Sequence, residues 1–579
     1  MDAQINADGE VARAWRWGHI VLLLAVAASW LSLSALNLWM GELNQDEGWY
    51  LYAAKQMTEG LKPYRDFAFT QPPMLPLVYS WVFNWVGHFG LVGGRAVTWL
   101  FGALGTLAAV WLAMRAGPRP AQRLTAGLCF ILIAMNLYQS YFTTVVKTYA
   151  LSGMFLCAGL AMLSFVGPRK GFRAAAGSGF LLACAAATRI SLGAALALGG
   201  LYLLICRRRL RAWAWLDFAL GGLLGLALAF LPFLALGREG FLFGVVEYHS
   251  LREAGPWLVQ LAYKIGCLSR LAQAYFPAAI AGLFLLIVAC RHLARRGRPI
   301  EGTGPAAPAE PPPEDIAPCF NSFLWVSVAA LGAVHLAAPF PYDDYQVPIY
   351  PVYCAALAAT GARWWLREER RRFGGCSAPS RSARRLAILT VTWLMCGLHA
   401  FSSPLAQGWF VAGRDRIWWR LREQSPVAQL RDMAKWVRDL TLAESGTALL
   451  TQDTYLAVEA GLPVPRGLEM GPFSYYPDWP RARAERIGVM NREMMIELLS
   501  TSTNTPIAAL SGYSLSIRCP EVAEVSREDR LAFEGILQDR FERVETVPGF
   551  GQAGTPLEIW RLKSLPEPEG APPVETDEE

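Results

Sequence analysis

Long apolar runs alternate with short arginine clusters over the first two thirds of the chain. The runs lie near residues 19–41, 95–114, 124–142, 148–167, 174–188, 190–206, 214–236, 271–290, 319–338, 346–362 and 386–402. A helix crossing the hydrocarbon core of a bilayer needs about 20 residues, so this pattern predicts a polytopic α-helical membrane protein. Arg13 and Arg16 precede the first run. Later clusters are "RAGPRPAQR", "GPRKGFR", "CRRRLR", "RHLARRGR", "RWWLREERRRF" and "RSARR". Cytoplasmic loops collect Lys and Arg, and about eleven spans bring every cluster to that side.

Two local assignments complete this topology. The run 72–90, "PPMLPLVYSWVFNWVGHFG", opens on two prolines and carries Trp81, Trp85 and His88. It is expected to lie in the interface of the first outer loop without crossing. The stretch 174–206 is too long for one span at about 1.5 Å per residue. A break at "ATRIS" divides it and sets Arg189 at an outer turn.

Composition narrows the classes. The 579 residues are 54% hydrophobic and 17% charged, which excludes an ordinary soluble protein. The net charge of +6 is modest and sits in short loop clusters, a pattern suited to anionic lipid and not to nucleic acid. The 11 cysteines are scattered singly without zinc spacing, as expected for buried packing residues. No cleavable signal peptide is expected, because the first run is span-length.

With this topology, acids and bases converge on the outer face. "NQDEGWYLYAAKQMTEGLKPYRDFAFTQPP", residues 44 to 73, brings Asp46, Glu47, Lys62, Arg65, Asp66 and Gln71. Lys147 lies in "TTVVKTYA". Glu247, His249 and Arg252 lie in "GVVEYHSLREAGPW", and Asp343, Asp344 and Tyr345 in "PFPYDDYQVPIYP". Ionised groups at a bilayer edge are costly to desolvate and usually have a task. Their clustering suggests acid–base chemistry on an anionic lipid. Isolated charges such as Lys147 or Arg252 also have a plainer reading, as anchors of span ends.

"DEGWYLYAAKQMTEGLKPYRDFAFTQPPMLPL", followed by "GGRAVTWLFGALGTLAAVWLAMR", resembles the GT-C glycosyltransferases that use dolichyl- and polyprenyl-phosphate sugars. Within them the likeness is to the bacterial branch resembling protein mannosyltransferases and the lipid A aminoarabinose transferase. "AAATRISLGAALAL" and "YDDYQVPIYPVYCAALA" continue the likeness, which covers roughly residues 15 to 402. It implies a GT-C-like fold in the cell (inner) membrane, with the active site on the periplasmic or extracellular side. It also implies that Asp46 acts on the acceptor hydroxyl, with Glu47 supporting it. The donor would be a polyprenyl-phosphate-linked sugar and the acceptor a lipid, glycan or protein. Some members carry a basic residue before the Pro-Pro, where this chain has Gln71. An amide hydrogen-bonds a phosphate without neutralising it. Arg65, Lys147 and Arg189 are therefore the candidate phosphate ligands, with Asp66 and Tyr345 as further site candidates. Glu247 and His249, with Asp66, are candidate ligands for a divalent metal ion.

Three regions follow in the domain plan: a membrane domain 1–402, an outer α/β domain 403–565, and a disordered acidic tail 566–579 with "PEPEGAPPVETDEE". "GRPIEGTGPAAPAEPPPEDIAP" reads as a flexible linker. "SPVAQLRDMAKWVRDL" and "REDRLAFEGILQDR" have helical periodicity; "TPIAALSGYSLSI", "FERVETVPGF" and "TPLEIWRLK" read as strands. "TALLTQDTYLAVEAG" is expected to run strand, turn, helix, ending at Gly461. A flippase for lipid-linked sugars is the competing class, but it predicts internal repeats and charges at the bilayer midplane. A non-catalytic envelope scaffold would have no strict need of Asp46.

Overall fold

The structure, a computed structural model, describes residues 2–168, 171–251, 255–296, 316–373, 378–402 and 422–563. The Pro-rich linker, the start of the 403–565 region and the acidic tail fall largely or wholly outside these. Helices dominate. α1 (Asp2–Met40) leads into α2 (Gln45–Thr58), followed by α3 (Met74–Trp81) and α4 (Phe83–Phe89). These last two are 8 and 7 residues long, too short to cross a bilayer.

The helices of the apolar runs follow. They are α5 (Leu91–Ala116), α6 (Gln122–Ala134), α7 (Leu137–Phe142), α8 (Thr148–Leu163), α9 (Phe172–Thr188), α10 (Gly193–Ile205) and α11 (Ala214–Leu236). Beyond them lie α12 (Arg238–Leu242), α13 (Tyr248–Ser250), α14 (Trp257–Ala274), α15 (Phe276–Arg296), α16 (Ile316–Ala337), α17 (Tyr350–Phe373) and α18 (Ala378–Phe401). Among the described residues, four helices are long and apolar enough by composition to cross a membrane: Trp17–Met40, Leu91–Ala116, Ala214–Leu236 and Cys319–Ala337. The helices Thr148–Leu163, Phe172–Thr188 and Ile190–Ile205 are apolar but shorter.

Two regions differ in detail from the hydropathy reading. The run 124–142 is two helices, parted at Met135 and Asn136, with the Asn136 side chain capping α7 by accepting from Gln139 N at 2.8 Å. The expected run 271–290 starts inside a helix that bends by 99° at Tyr275, so α14 and α15 form an angled pair. The polar residues Gln260, Lys264, Arg270 and Gln273 among the apolar residues of α14 explain why hydropathy overlooked it.

Small residues let the membrane helices approach closely. A Cβ at Gly221 would collide with the Ala176 carbonyl, and one at Gly179 with the Phe218 carbonyl, so α9 and α11 are in backbone contact. This is how helices associate where hydrophobic burial gives no net drive.

After α18, the chain folds as helices around strands. α19 (Pro426–Ala443) is capped by Ser425, and α20 (Thr454–Ala460) ends on Gly461 at φ +70°, a left-handed position that suits glycine. α21 (Arg481–Ile487), α22 (Arg492–Thr501) and α23 (Arg527–Arg540) follow. β1 (Ile507–Ser511), β5 (Thr555–Leu562) and β4 (Phe541–Phe550) form an antiparallel sheet in the order β1-β5-β4. β2 (Ile517–Arg518) and β3 (Ala523–Glu524) form a separate ribbon. The strand expected just before α20 is only a single bridge, Leu450 to Ala508.

This region shares a core with the first loop. Leu51, Phe67, Phe69 and Leu75 pack in one apolar cluster with Leu430, Leu456, Ile507 and Ile559. Hydrogen bonds reinforce it: Gln45 Nε2 donates to the buried Asp453 at 2.7 Å, Val464 N to Tyr52 Oη at 3.0 Å, and Leu91 N to Glu459 at 2.6 Å.

At this junction Glu469 is buried, accepting from Gly467 N at 2.7 Å. Burial pushes its carboxyl up to about 7, opposed in part by these hydrogen bonds and by Arg466. A raised carboxyl pKa means that the unfolded chain releases its proton first as pH rises, so this group weakens folding progressively from about pH 4.5 to 7 and fully above that. Glu469→Gln is therefore expected to be stabilising at pH 8, on the order of 2 kcal/mol, and near neutral at pH 4.5. Denaturation midpoints of the purified protein at the two pH values check this; equal shifts at both would contradict it.

Candidate active site

The site begins with the turn that starts α2. Asn44 caps the helix by accepting from Asp46 N at 3.0 Å, while Glu47 reaches back to accept from Asn44 N at 3.2 Å. This reciprocal capping box fixes the first turn. It also sends the two adjacent carboxylates in different directions.

Glu47 points inward and is fully buried. Arg95 of α5 donates to it from Nε at 2.8 Å and Nη2 at 2.6 Å. The same guanidinium donates to the carbonyls of Leu38, Gly41 and Glu42, and Val146 N donates to Glu47 at 3.2 Å. The pair thus fastens α2 and α5 to the end of α1, the turn after it and the loop before α8. Glu47 does not line the cavity beside it; its contacts hold the turn that carries Asp46.

Asp46 points outward into a cavity of about 530 Å³. Its Oδ1 accepts from Trp49 Nε1 at 3.1 Å, and its Oδ2 lies 2.9 Å from Lys147 Nζ. Lys147 sits at the extended residue before α8 and also pairs with Asp344 at 3.0 Å. It is buried beside the rings of Phe142 and Tyr149. One cation is thus held between two carboxylates drawn from distant parts of the chain.

Arg189 completes the group. It occupies the extended break between α9 and the turn leading into α10. Its guanidinium lies 4.2 Å from the centre of the Tyr345 ring and 5.0 Å from that of Tyr149. Nη1 donates weakly to Thr148 at 3.4 Å, while Nε is buried with no hydrogen-bond partner. Among the described residues no carboxylate lies within ion-pairing distance of it. A half-buried guanidinium held by aromatic faces, with its Nε buried and unpartnered, is chemically suited to an anion.

The cavity therefore gathers Asp46, Gln71, Lys147, Arg189 and Tyr345. Other expected site residues lie elsewhere. Arg65 and Asp66 pair with each other through two hydrogen bonds of 2.8 Å, and Asp66 also accepts from Lys62 N. The Arg65 guanidinium holds the Asp66 carboxyl below its ordinary range. Neither lines the cavity. Glu247 faces Arg483 at 3.5 Å, and His249 packs beside the Tyr248 ring. Glu247, His249 and Asp66 do not come together as metal ligands: among the described residues there is no group of three or more His, Cys, Asp or Glu side chains that would hold a metal ion.

The structure also adds residues that the sequence reading missed. Arg95 stood inside an apolar run, and a lone arginine there is the one available sign of a buried partner. Arg270 pairs with Asp343 at 2.8 Å on the far wall. The region after α18 supplies Phe473, Tyr513, Ile517, Val522 and Gln552 to the cavity.

No family model and no curated protein matches the sequence. Solved structures do. ArnT from Cupriavidus metallidurans bound to undecaprenyl phosphate is similar over 94% of this chain and 98% of its own, with TM-score 0.56 and 14% identity. Its apo state gives the same coverage with TM-score 0.54 and 15% identity. The chain shares the fold of these structures. At this identity the likeness speaks of architecture, and it extends through the region after α18.

Proposed function

We propose that the chain is a membrane glycosyltransferase that moves a sugar from a polyprenyl-phosphate donor to an acceptor hydroxyl on the outer face of the cell membrane. One observation carries the reading: Asp46, paired with Lys147, and Arg189, which among the described residues has no carboxylate within ion-pairing distance, line the same cavity. The architecture shared with ArnT, whose structure is described as bound to undecaprenyl phosphate, supports the choice of donor. The arginine clusters support about eleven spans, an outer active site, and an outer region at 403–565 above it.

In this reading Arg189 receives the donor phosphate, helped by Lys147 and by hydrogen bonds from Gln71 and Tyr345. Asp46 accepts the proton of the acceptor hydroxyl as its oxygen attacks the anomeric carbon, a role typically contributing about 10²–10⁴-fold. The bond from that carbon to the phosphate oxygen breaks, and polyprenyl phosphate leaves with its charge stabilised electrostatically. A single in-line displacement inverts the anomeric centre. Among the described residues no group of His, Cys, Asp and Glu side chains assembles that would hold a metal ion, and no step is routed through one.

Binding of undecaprenyl phosphate to the purified protein and its Arg189 variants tests the anion site. Arg189→Gln is expected to weaken binding at least about tenfold, with Arg189→Lys intermediate, because the lost contact is charge-assisted. Equal affinities for the Gln and Lys variants would mean that charge at this position does not hold the phosphate.

A further inference from the structure

We infer that the acceptor presents an uncharged carbohydrate to the cavity; the inference rests on the glycosyl-transfer reading above. The argument starts from charge. The lining residues include three cations, Lys147, Arg189 and Arg270, against four carboxylates, Glu42, Asp46, Asp343 and Asp344. That is a formal balance of −1. Lys147 is already shared by Asp46 and Asp344, and Arg270 is paired with Asp343. Among the described lining residues Arg189 is the cation without a carboxylate partner, and the donor phosphate takes it. The loaded cavity then stands at a formal −2. An acceptor carrying its own phosphate would meet like charge with no unpaired cation among the described lining residues to receive it, a device that selects against such partners.

The wall facing these charges agrees. Phe473, Tyr513, Ile517, Val522 and Gln552 bring no charge to the cavity. Val522 has φ +58°, and Leu515 and Ala553 beside the wall have φ +56° and +62°. A β-branched residue in the left-handed region is a genuine outlier, and such conformations persist where the surroundings impose them, often at ligand sites. Gln552 ties the wall to the catalytic turn: its Oε1 accepts from Gln45 N at 2.9 Å and its Nε2 faces Tyr513 Oη at 3.4 Å. Trp49 and Tyr50 line the cavity with Tyr513. Broad aromatic faces with polar edges suit the ring of a sugar, apolar on its faces and hydroxylated at its rim.

The full chain in lipid nanodiscs, supplied with labelled undecaprenyl-phosphate hexose, decides among three acceptor probes: a decyl glucoside, the same glucoside bearing a 6-phosphate, and a Ser/Thr-rich peptide. The neutral glucoside is expected to be labelled with kcat/KM at least about tenfold above either competitor. Val522→Lys, or Ile517→Lys should the first fail to fold, adds a cation to the wall and is expected to narrow the preference against the 6-phosphate at least about fivefold. Undecaprenyl phosphate binding is measured alongside. Preference for the 6-phosphate or the peptide, an unmoved ratio in the folded Lys variants, or no labelling of any probe by a protein that binds undecaprenyl phosphate would overturn the inference alone. Failure to bind undecaprenyl phosphate would overturn the reading beneath it.

Discussion

Asp46→Asn is expected to lower sugar transfer at least about a hundredfold while leaving undecaprenyl phosphate affinity within about twofold. The amide keeps the shape of the side chain and can still accept from Trp49, but it cannot take a proton from the attacking hydroxyl. Its partner Lys147 retains Asp344 at 3.0 Å, so the cation stays in place and the arrangement around it is preserved. The Asp46 side chain is 26% exposed, and removing a partly solvated ion-pair member costs little stability. Steady-state transfer and lipid binding on the same preparation separate the two effects. A variant that loses donor binding in parallel with turnover would assign Asp46 to holding Lys147 and not to proton transfer.

The largest effect on stability is expected at Arg95. Arg95→Met deletes five hydrogen bonds and strands the fully buried Glu47 without its counter-ion. Breaking one partner of such a pair typically costs about 3–5 kcal/mol, whereas replacing both with apolar groups is far milder. The double variant Arg95→Met/Glu47→Met is thus expected to recover a large part of the loss, since the two residues are in contact and their effects do not add. The recovery will be incomplete, because the carbonyls of Leu38, Gly41 and Glu42 also lose their donor. Denaturation midpoints of the wild type and the three variants make the cycle. Additive losses would mean that Glu47 and Arg95 act independently.

Much of this architecture was legible because membrane helices announce themselves by length and hydropathy. The break at Arg189 could be read from a run too long for one span with a charge at its middle. The strands β1, β4 and β5 and the helices α19 and α23 carried ordinary periodicity. Hydropathy failed at α14, where polar residues dilute the apolar run, and at Met135, where the Asn136 cap splits a largely apolar run.

The site was legible only in part, for a physical reason. Asp46, Lys147, Arg189 and Tyr345 are separated by long stretches of chain, and only the fold makes them neighbours. Adjacent residues misled: Asp46 and Glu47 look equivalent in sequence, yet the capping box turns one to the cavity and the other to Arg95. Arg65 seemed free to bind phosphate, but its immediate neighbour Asp66 occupies it. The wall from Tyr513 to Gln552 carried no chemical signature, since uncharged loop residues look alike until they face something.

The most direct test of the central claim is release of undecaprenyl phosphate from labelled undecaprenyl-phosphate hexose by the purified full chain, with label recovered on an acceptor from envelope lipids and glycans. The account predicts matched release and transfer by the wild type, both lowered at least about a hundredfold in Asp46→Asn, with the product linkage inverted relative to the donor. Intact donor after incubation with a folded wild type that binds undecaprenyl phosphate, or equal transfer by wild type and Asp46→Asn, would contradict it.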